Sequence, residues 1–133
     1  MKLDRMNGMK RTDYCGELTK EKIGEEVVVA GWVQRQRDLG GLIFVDLRDR
    51  SGIIQLAFDD TTDPAVFEKA GILRSEFVVM AKGKVRMRSS VNTEIPTGEI
   101  ELEVTELKIL GESETPPFEI LPDSVKISYY SLK

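Results

Sequence analysis

With 133 residues, 41% of them apolar and 32% charged, the chain has the length and composition of one globular domain around a single core. Its single cysteine excludes an internal disulfide, and its lack of histidine excludes the usual zinc ligand sets along with Ser-His and Cys-His nucleophilic pairs. The net charge of −4 argues against indiscriminate polyanion binding by the whole surface, and with no phosphate-loop or dinucleotide fingerprint the chain is expected to hold no catalytic residue, cofactor or metal.

Taken in chain order, residues 1–9 are polar and patternless, which predicts a flexible extension. They carry no signal-peptide apolar region, and no later run reaches the ~20 apolar residues of a spanning helix, so a cytoplasmic protein without membrane association is expected. Glu26 to Arg37 is rich in β-branched residues and bounded by glycines, the pattern of a long first strand. Leu42–Arg48 and Ile53–Phe58 are short apolar runs joined by the turn-forming Asp49, Arg50, Ser51 and Gly52, which predicts a hairpin. Asp63 can cap, and Pro64 can open, a short helix carrying Val66, Phe67 and Ala70 at helical spacing. Phe77–Met87 reads as a fourth strand, Arg88–Pro96 as a polar loop, and Gly98–Leu110, alternating acid with aliphatic, as a fifth. The order β-β-β-α-β-β is that of the mainly β OB-fold, a five-stranded Greek-key barrel with a helix between strands three and four, whose strands two and three bind oligonucleotides. We assign it to residues 10–111. Beyond it Pro116, Pro117 and Pro122 predict an extended linker over 112–133.

Strand alternation then selects residues. In the second strand Ile43, Val45 and Leu47 face one way, and Phe44, Asp46 and Arg48 the other. A ring on a polar face forfeits about 1.5–3 kcal/mol of burial unless something covers it. A nucleobase would do so, since stacking on an aromatic is worth about 1–3 kcal/mol per base. Packing under a loop or an arginine stem would serve equally, and both readings stay open here. By the same parity Gln55 shares Phe44's exterior face, and Arg35 and Arg37 stand together at the end of the first strand. An amide and a planar guanidinium are the groups that read exposed base edges, although solvated surface is the plain alternative. On the fifth strand Glu99, Glu101 and Glu103 oppose Ile100, Leu102 and Val104. Most of that row is expected to be solvated, but a single carboxylate could accept from the ring N–H and amine of guanine. Lys82, Lys84, Arg86 and Arg88 fall within seven residues without an acid, whereas Asn92 to Lys133 holds nine acids against three bases. They predict a local basic stripe leading towards Asn92, suited to phosphates and equally common on exposed strands.

Four segments together carry a resemblance: RTDYCGEL (Arg11 to Leu18), GWVQRQRDLGGLIFVDLRDRSGIIQ (Gly31 to Gln55), LRSEF (Leu73 to Phe77) and PTGEIEL (Pro96 to Leu102). Over about Arg11 to Ile120 the chain resembles the N-terminal anticodon-binding domain of bacterial-type aspartyl-tRNA synthetases. That likeness implies tRNA with an aspartate anticodon as partner, and a parent homodimer that uses ATP and magnesium in a separate class II catalytic domain. It further implies that Phe44 stacks on the middle anticodon base, that Arg37 and Gln55 read base edges, and that Glu101 faces the first anticodon base. Arg35, Arg86, Arg88 and Asn92 complete the expected groove. The closing KISYYSLK departs from the Y-R-Y-L-D-L-R-like motif of the family. A stand-alone OB module for single strands, stacking bases with little choice among them, is the alternative.

Overall fold

The computed structural model describes Asp4 and residues 8–112, so the expected linker beyond Glu112 and most of the expected extension lie outside the described residues. Five strands, β1 (Glu26–Asp38), β2 (Ile43–Asp49), β3 (Gly52–Phe58), β4 (Val78–Met87) and β5 (Ile100–Gly111), close a barrel in the order β1-β2-β3-β5-β4. The helix α1 (Pro64–Ile72) lies between β3 and β4, as the sequence pattern requires of an OB-fold. Every pairing is antiparallel except β3 with β5, where Leu56 opposite Leu102 and Ala57 opposite Glu103 close the barrel. Closure removes the exposed strand edges that would otherwise invite pairing with another chain.

Alternation fills the interior. Val27, Val29, Val33, Ile43, Val45, Leu47, Ile54, Leu56, Phe58, Leu102 and Val104 belong to one buried cluster. The run VVVAGWV in β1 is apolar on both faces because its other face, Val28, Ala30 and Trp32, joins Val78, Met80 and Leu110 in a second cluster outside the barrel. Met9 packs against that outer cluster, and Thr12 binds the backbone of Val28 in both directions. Within the expected extension Asp4 is tied down. Its N–H donates to Ile109 O at 2.8 Å, and its carboxylate accepts from Ile109 N and Lys69 Nζ.

Local chemistry sets the element ends. Asp63 accepts from Ala65 N at 2.9 Å with Pro64 in the first turn, the expected cap of α1. At the other end of α1, Gln36 of β1 donates to the carbonyls of Ala70 (3.0 Å) and Gly71 (3.4 Å), beside the Leu73 N–H on Ala70 O and Arg74 Nη1 on Gly71 O. The buried Asp49 accepts from Cys15 N on one oxygen and from Ser51 N and Oγ on the other, fastening a 3-10 turn (Cys15–Glu17) to the β2–β3 connection. Gly16 is required there, because a Cβ would fall 2.2 Å from Ser51 O.

Candidate nucleic-acid interface

The site begins with a kink in β1. Val33 pairs with Leu47, but the next outward partner of Asp46 is Arg35 rather than Gln34, so one residue is extra and the register shifts. Such a bulge reverses the facing of everything beyond it. Plain alternation from the buried Val33 would aim Arg35 and Arg37 into the barrel. The bulge at Gln34 turns them outward, opposite Asp46 and Phe44. It also leaves Gln36 facing α1.

Phe44 stands on the outer face of β2, half-buried and outside both apolar clusters. The Arg37 guanidinium carbon lies 5.2 Å from its ring centroid, within cation–π range. Phe44 forms a wall shared by two clefts. The first, about 440 Å³, also takes in Arg35, Arg37, Gln55, Arg88 and Asn92, and the second, about 320 Å³, takes in Arg86, Arg88 and Glu101. Of the eight sequence-predicted residues, Arg86 and Glu101 line only the second cleft, and the other six line the first. Gln34, Asp46, Ser89, Ser90, Val91 and Ile95 line it as well, of which only Asp46 and its polar facing could be anticipated.

The β4–β5 loop forms the far rim. Asn92 N–H donates to Gly98 O at 2.9 Å, and Gly98 permits the approach, since a Cβ there would meet Asn92 O at 1.5 Å. Thr97, 2% exposed, donates its hydroxyl to Ile53 O and so pins the loop to the start of β3.

Beneath the rim runs a polar chain contributed by four of the five strands. Arg37 Nη2 (β1) donates to Gln55 Oε1 (β3) at 3.0 Å, Gln55 Nε2 to Glu101 Oε1 (β5) at 2.8 Å, and Arg86 Nε (β4) to Glu101 Oε2 at 2.7 Å. Phe44 of β2 lies alongside. Gln55 and Glu101 point away from the core, as parity requires, yet each is only 5% exposed. Expected as exterior groups, they are largely covered, each hydrogen-bonded to an arginine, and still border the clefts. Glu101 thus departs from the solvated face expected for most of its row, which Glu99 does occupy.

The basic stripe is likewise less basic than the sequence suggests, because partners arrive from neighbouring strands. Lys82 pairs with Glu26 of β1 at 3.6 Å, and Arg86 contacts Asp59, Glu101 and Glu103. Burial alone would lower the Arg86 pKa, but the hydrogen bond and charge of Glu101, with help from Asp59 and Glu103, raise it above the ordinary value. Arg88 shows the opposite balance. Burial lowers its pKa and the like charge of Arg37 adds to the effect, outweighing Asp46 and Glu101. Among the described residues no carboxylate pairs with Arg35 or Arg88 within 4.0 Å, so these two, rather than Arg86, hold charge that a phosphate could neutralise. No group of three or more His, Cys, Asp or Glu among the described residues is placed to hold a metal ion.

A barrel of this strand order, with a ring, guanidinium groups and a fixed donor–acceptor chain across the outer faces of β2 and β3, is an OB-fold of the kind that receives unpaired bases. The chain belongs to the tRNA anticodon family, an OB-fold nucleic acid binding domain, whose pattern matches residues 27–110. It is 55% identical over 115 residues to the aspartate-tRNA ligase of Limosilactobacillus fermentum, covering 86% of this chain and 20% of that protein. It is 52% identical over 122 residues to the aspartate-tRNA(Asp/Asn) ligase of Halothermothrix orenii, with coverages of 90% and 21%. The chain spans about a fifth of the length of these curated relatives. Among solved structures, asparaginyl-tRNA synthetase from Pyrococcus horikoshii superposes with a TM-score of 0.65 at 30% identity over 79% of this chain and 24% of that one. An OBody bound to hen egg-white lysozyme superposes with a TM-score of 0.70 at 32% identity over 78% and 96%.

Proposed function

We propose that this chain is the anticodon-reading domain of an aspartate-tRNA ligase. The observation that carries the reading is the meeting of Phe44, Arg37, Gln55, Arg88 and Asn92 around one cleft, with Glu101 and Arg86 in the adjoining one. In this reading the middle anticodon base stacks on Phe44. Arg37 and Gln55 contact base edges, Glu101 accepts from the first anticodon base, and Arg35, Arg88 and Asn92 hold the strand at the rim. The chain contributes recognition alone. Attachment of aspartate, with its ATP and magnesium, is proposed to fall to a separate catalytic domain of a homodimeric parent, as the likeness to the ligases suggests.

The test is a titration of this chain with a tRNA of aspartate identity and with the same tRNA carrying an exchanged anticodon, at two salt concentrations. Preference for the aspartate anticodon at both is the expected result. Equal affinities, with DNA bound as readily, would replace the reading by that of a single-strand binder without base choice.

A further inference from the structure

Arg86 is surrounded in a way that a phosphate ligand would not tolerate. Three of its nitrogens each meet a different carboxylate: Nε meets Glu101 at 2.7 Å, Nη1 meets Glu103 at 2.5 Å and Nη2 meets Asp59 at 3.3 Å. One positive charge thus faces three negative ones, and a phosphate approaching it would meet an excess of like charge. Asp59 is itself held from the β3–α1 connection, where Thr61 donates its N–H (2.9 Å) and hydroxyl (2.6 Å) to the other carboxylate oxygen.

The bonds on Glu101 show where this anchoring leads. Arg86 holds its Oε2 and Gln55 Nε2 holds its Oε1, so the carboxylate plane is fixed at both oxygens. Each oxygen keeps a further lone-pair direction, which is what a base edge with an N–H beside an amine requires. The same chain settles the amide of Gln55, whose nitrogen is committed to Glu101 and whose oxygen accepts from Arg37. A carboxylate only 5% exposed is costly unless paired and hydrogen-bonded, and Arg86 supplies both.

Building on the function proposed above, we infer that Arg86, oriented by Asp59, is a positioning residue for base choice. It acts through Glu101 and Gln55 and not on the nucleic-acid backbone. The β3–α1 connection thereby belongs to the selectivity apparatus although it contributes no base contact of its own.

The experiment uses the whole chain and two RNA hairpins that differ only in guanine or adenine at the first anticodon position, titrated over a salt series. Arg86→Ala and Asp59→Asn are each expected to reduce the guanine-to-adenine preference by about tenfold, within the range for loss of a two-point base contact. Both should leave the slope of log affinity against log salt as in the parent protein. Arg88→Ala provides the contrast, with the preference retained and the slope smaller by about 0.7, the value for one lost single-strand phosphate contact. Asp59→Asn preserves volume and decides the matter if Arg86→Ala does not fold, as read from its thermal melt. A smaller slope with unchanged preference in the Arg86 variant would make it a phosphate contact. An unchanged preference in Asp59→Asn would remove Asp59 from the mechanism. Absence of any preference in the parent protein would instead overturn the anticodon reading, and the positioning role with it.

Discussion

Replacing Phe44 by alanine separates a stacking platform from a piece of core. The ring borders both clefts, is half-buried and belongs to neither apolar cluster, so its removal enlarges an open depression and creates no sealed cavity. A fully buried Phe→Ala change costs about 3–5 kcal/mol. Roughly half of the burial term applies here, together with about 0.5 kcal/mol for the Arg37 guanidinium 5.2 Å from the ring, giving a stability loss of about 1–2 kcal/mol. Binding should suffer more specifically. Loss of one base stack, about 1–3 kcal/mol, weakens affinity for an anticodon hairpin by roughly 5- to 150-fold. Urea denaturation gives the first quantity and fluorescence anisotropy with a labelled hairpin the second. Phe58→Ala, which removes a ring at 0% exposure in the barrel interior, provides the reference for a core cavity. If Phe44→Ala lost as much stability as Phe58→Ala, or stayed folded and bound the hairpin with unchanged affinity, the ring would be packing and not platform.

Arg35→Ala should flatten the salt dependence of binding by about 0.7 in log–log slope while leaving base preference intact, as measured by titration from low to moderate salt. Asp63→Ala should lower stability by about 0.5–2 kcal/mol in urea, the cost of an emptied helix cap, with little change in hairpin affinity. Hydrogen bonds from Thr61, and then from Arg86, hold the Asp59 carboxyl below the usual carboxylate range. Its stabilising contribution is therefore complete above the unfolded value of about 3.9 and is lost as pH falls through the lower folded value. Asp59→Asn should accordingly show a smaller decline in urea midpoint below about pH 4 than the parent protein. Burial, and next the charge of Asp49, push the Cys15 thiol well up, so iodoacetamide at neutral pH should label it only once the chain is unfolded, as read by mass spectrometry.

Much of this architecture is legible from local pattern because the patterns are short and chemically motivated. The Asp63–Pro64 pair announces α1, the Asp49–Gly52 turn announces the β2–β3 hairpin, and alternation in β2 separates Phe44 from Ile43 and Val45. The facing of Gln55 and Glu101 is legible for the same reason. Their burial is not, since it depends on Arg37 and Arg86 arriving from strands far away in sequence. The same limit explains Arg86. A run of four cations between Lys82 and Arg88 suggests a phosphate track, and only the pairing of β4 with β5, together with the return of Asp59 beside it, reveals that its third member is already occupied. The outer apolar cluster around Trp32 is foreshadowed by the unbroken VVVAGWV run, which a strand with one wet face would not need.

The extra residue at Gln34 makes the recognition face depend on chain length as well as on side-chain identity. Excising Gln34 would only straighten the strand and keep Arg35 opposite Asp46, whereas adding one more residue beside it would leave every arginine in the sequence and yet rotate Arg35 and Arg37 by half a turn, exchanging their places with Gln36. Two guanidinium groups would then be driven towards aliphatic neighbours that cannot solvate them. Descendants of such a chain can therefore trade residues along the rim one at a time, or lose the extra residue, whereas a single-codon insertion at this spot turns both arginines away from the cleft in one step.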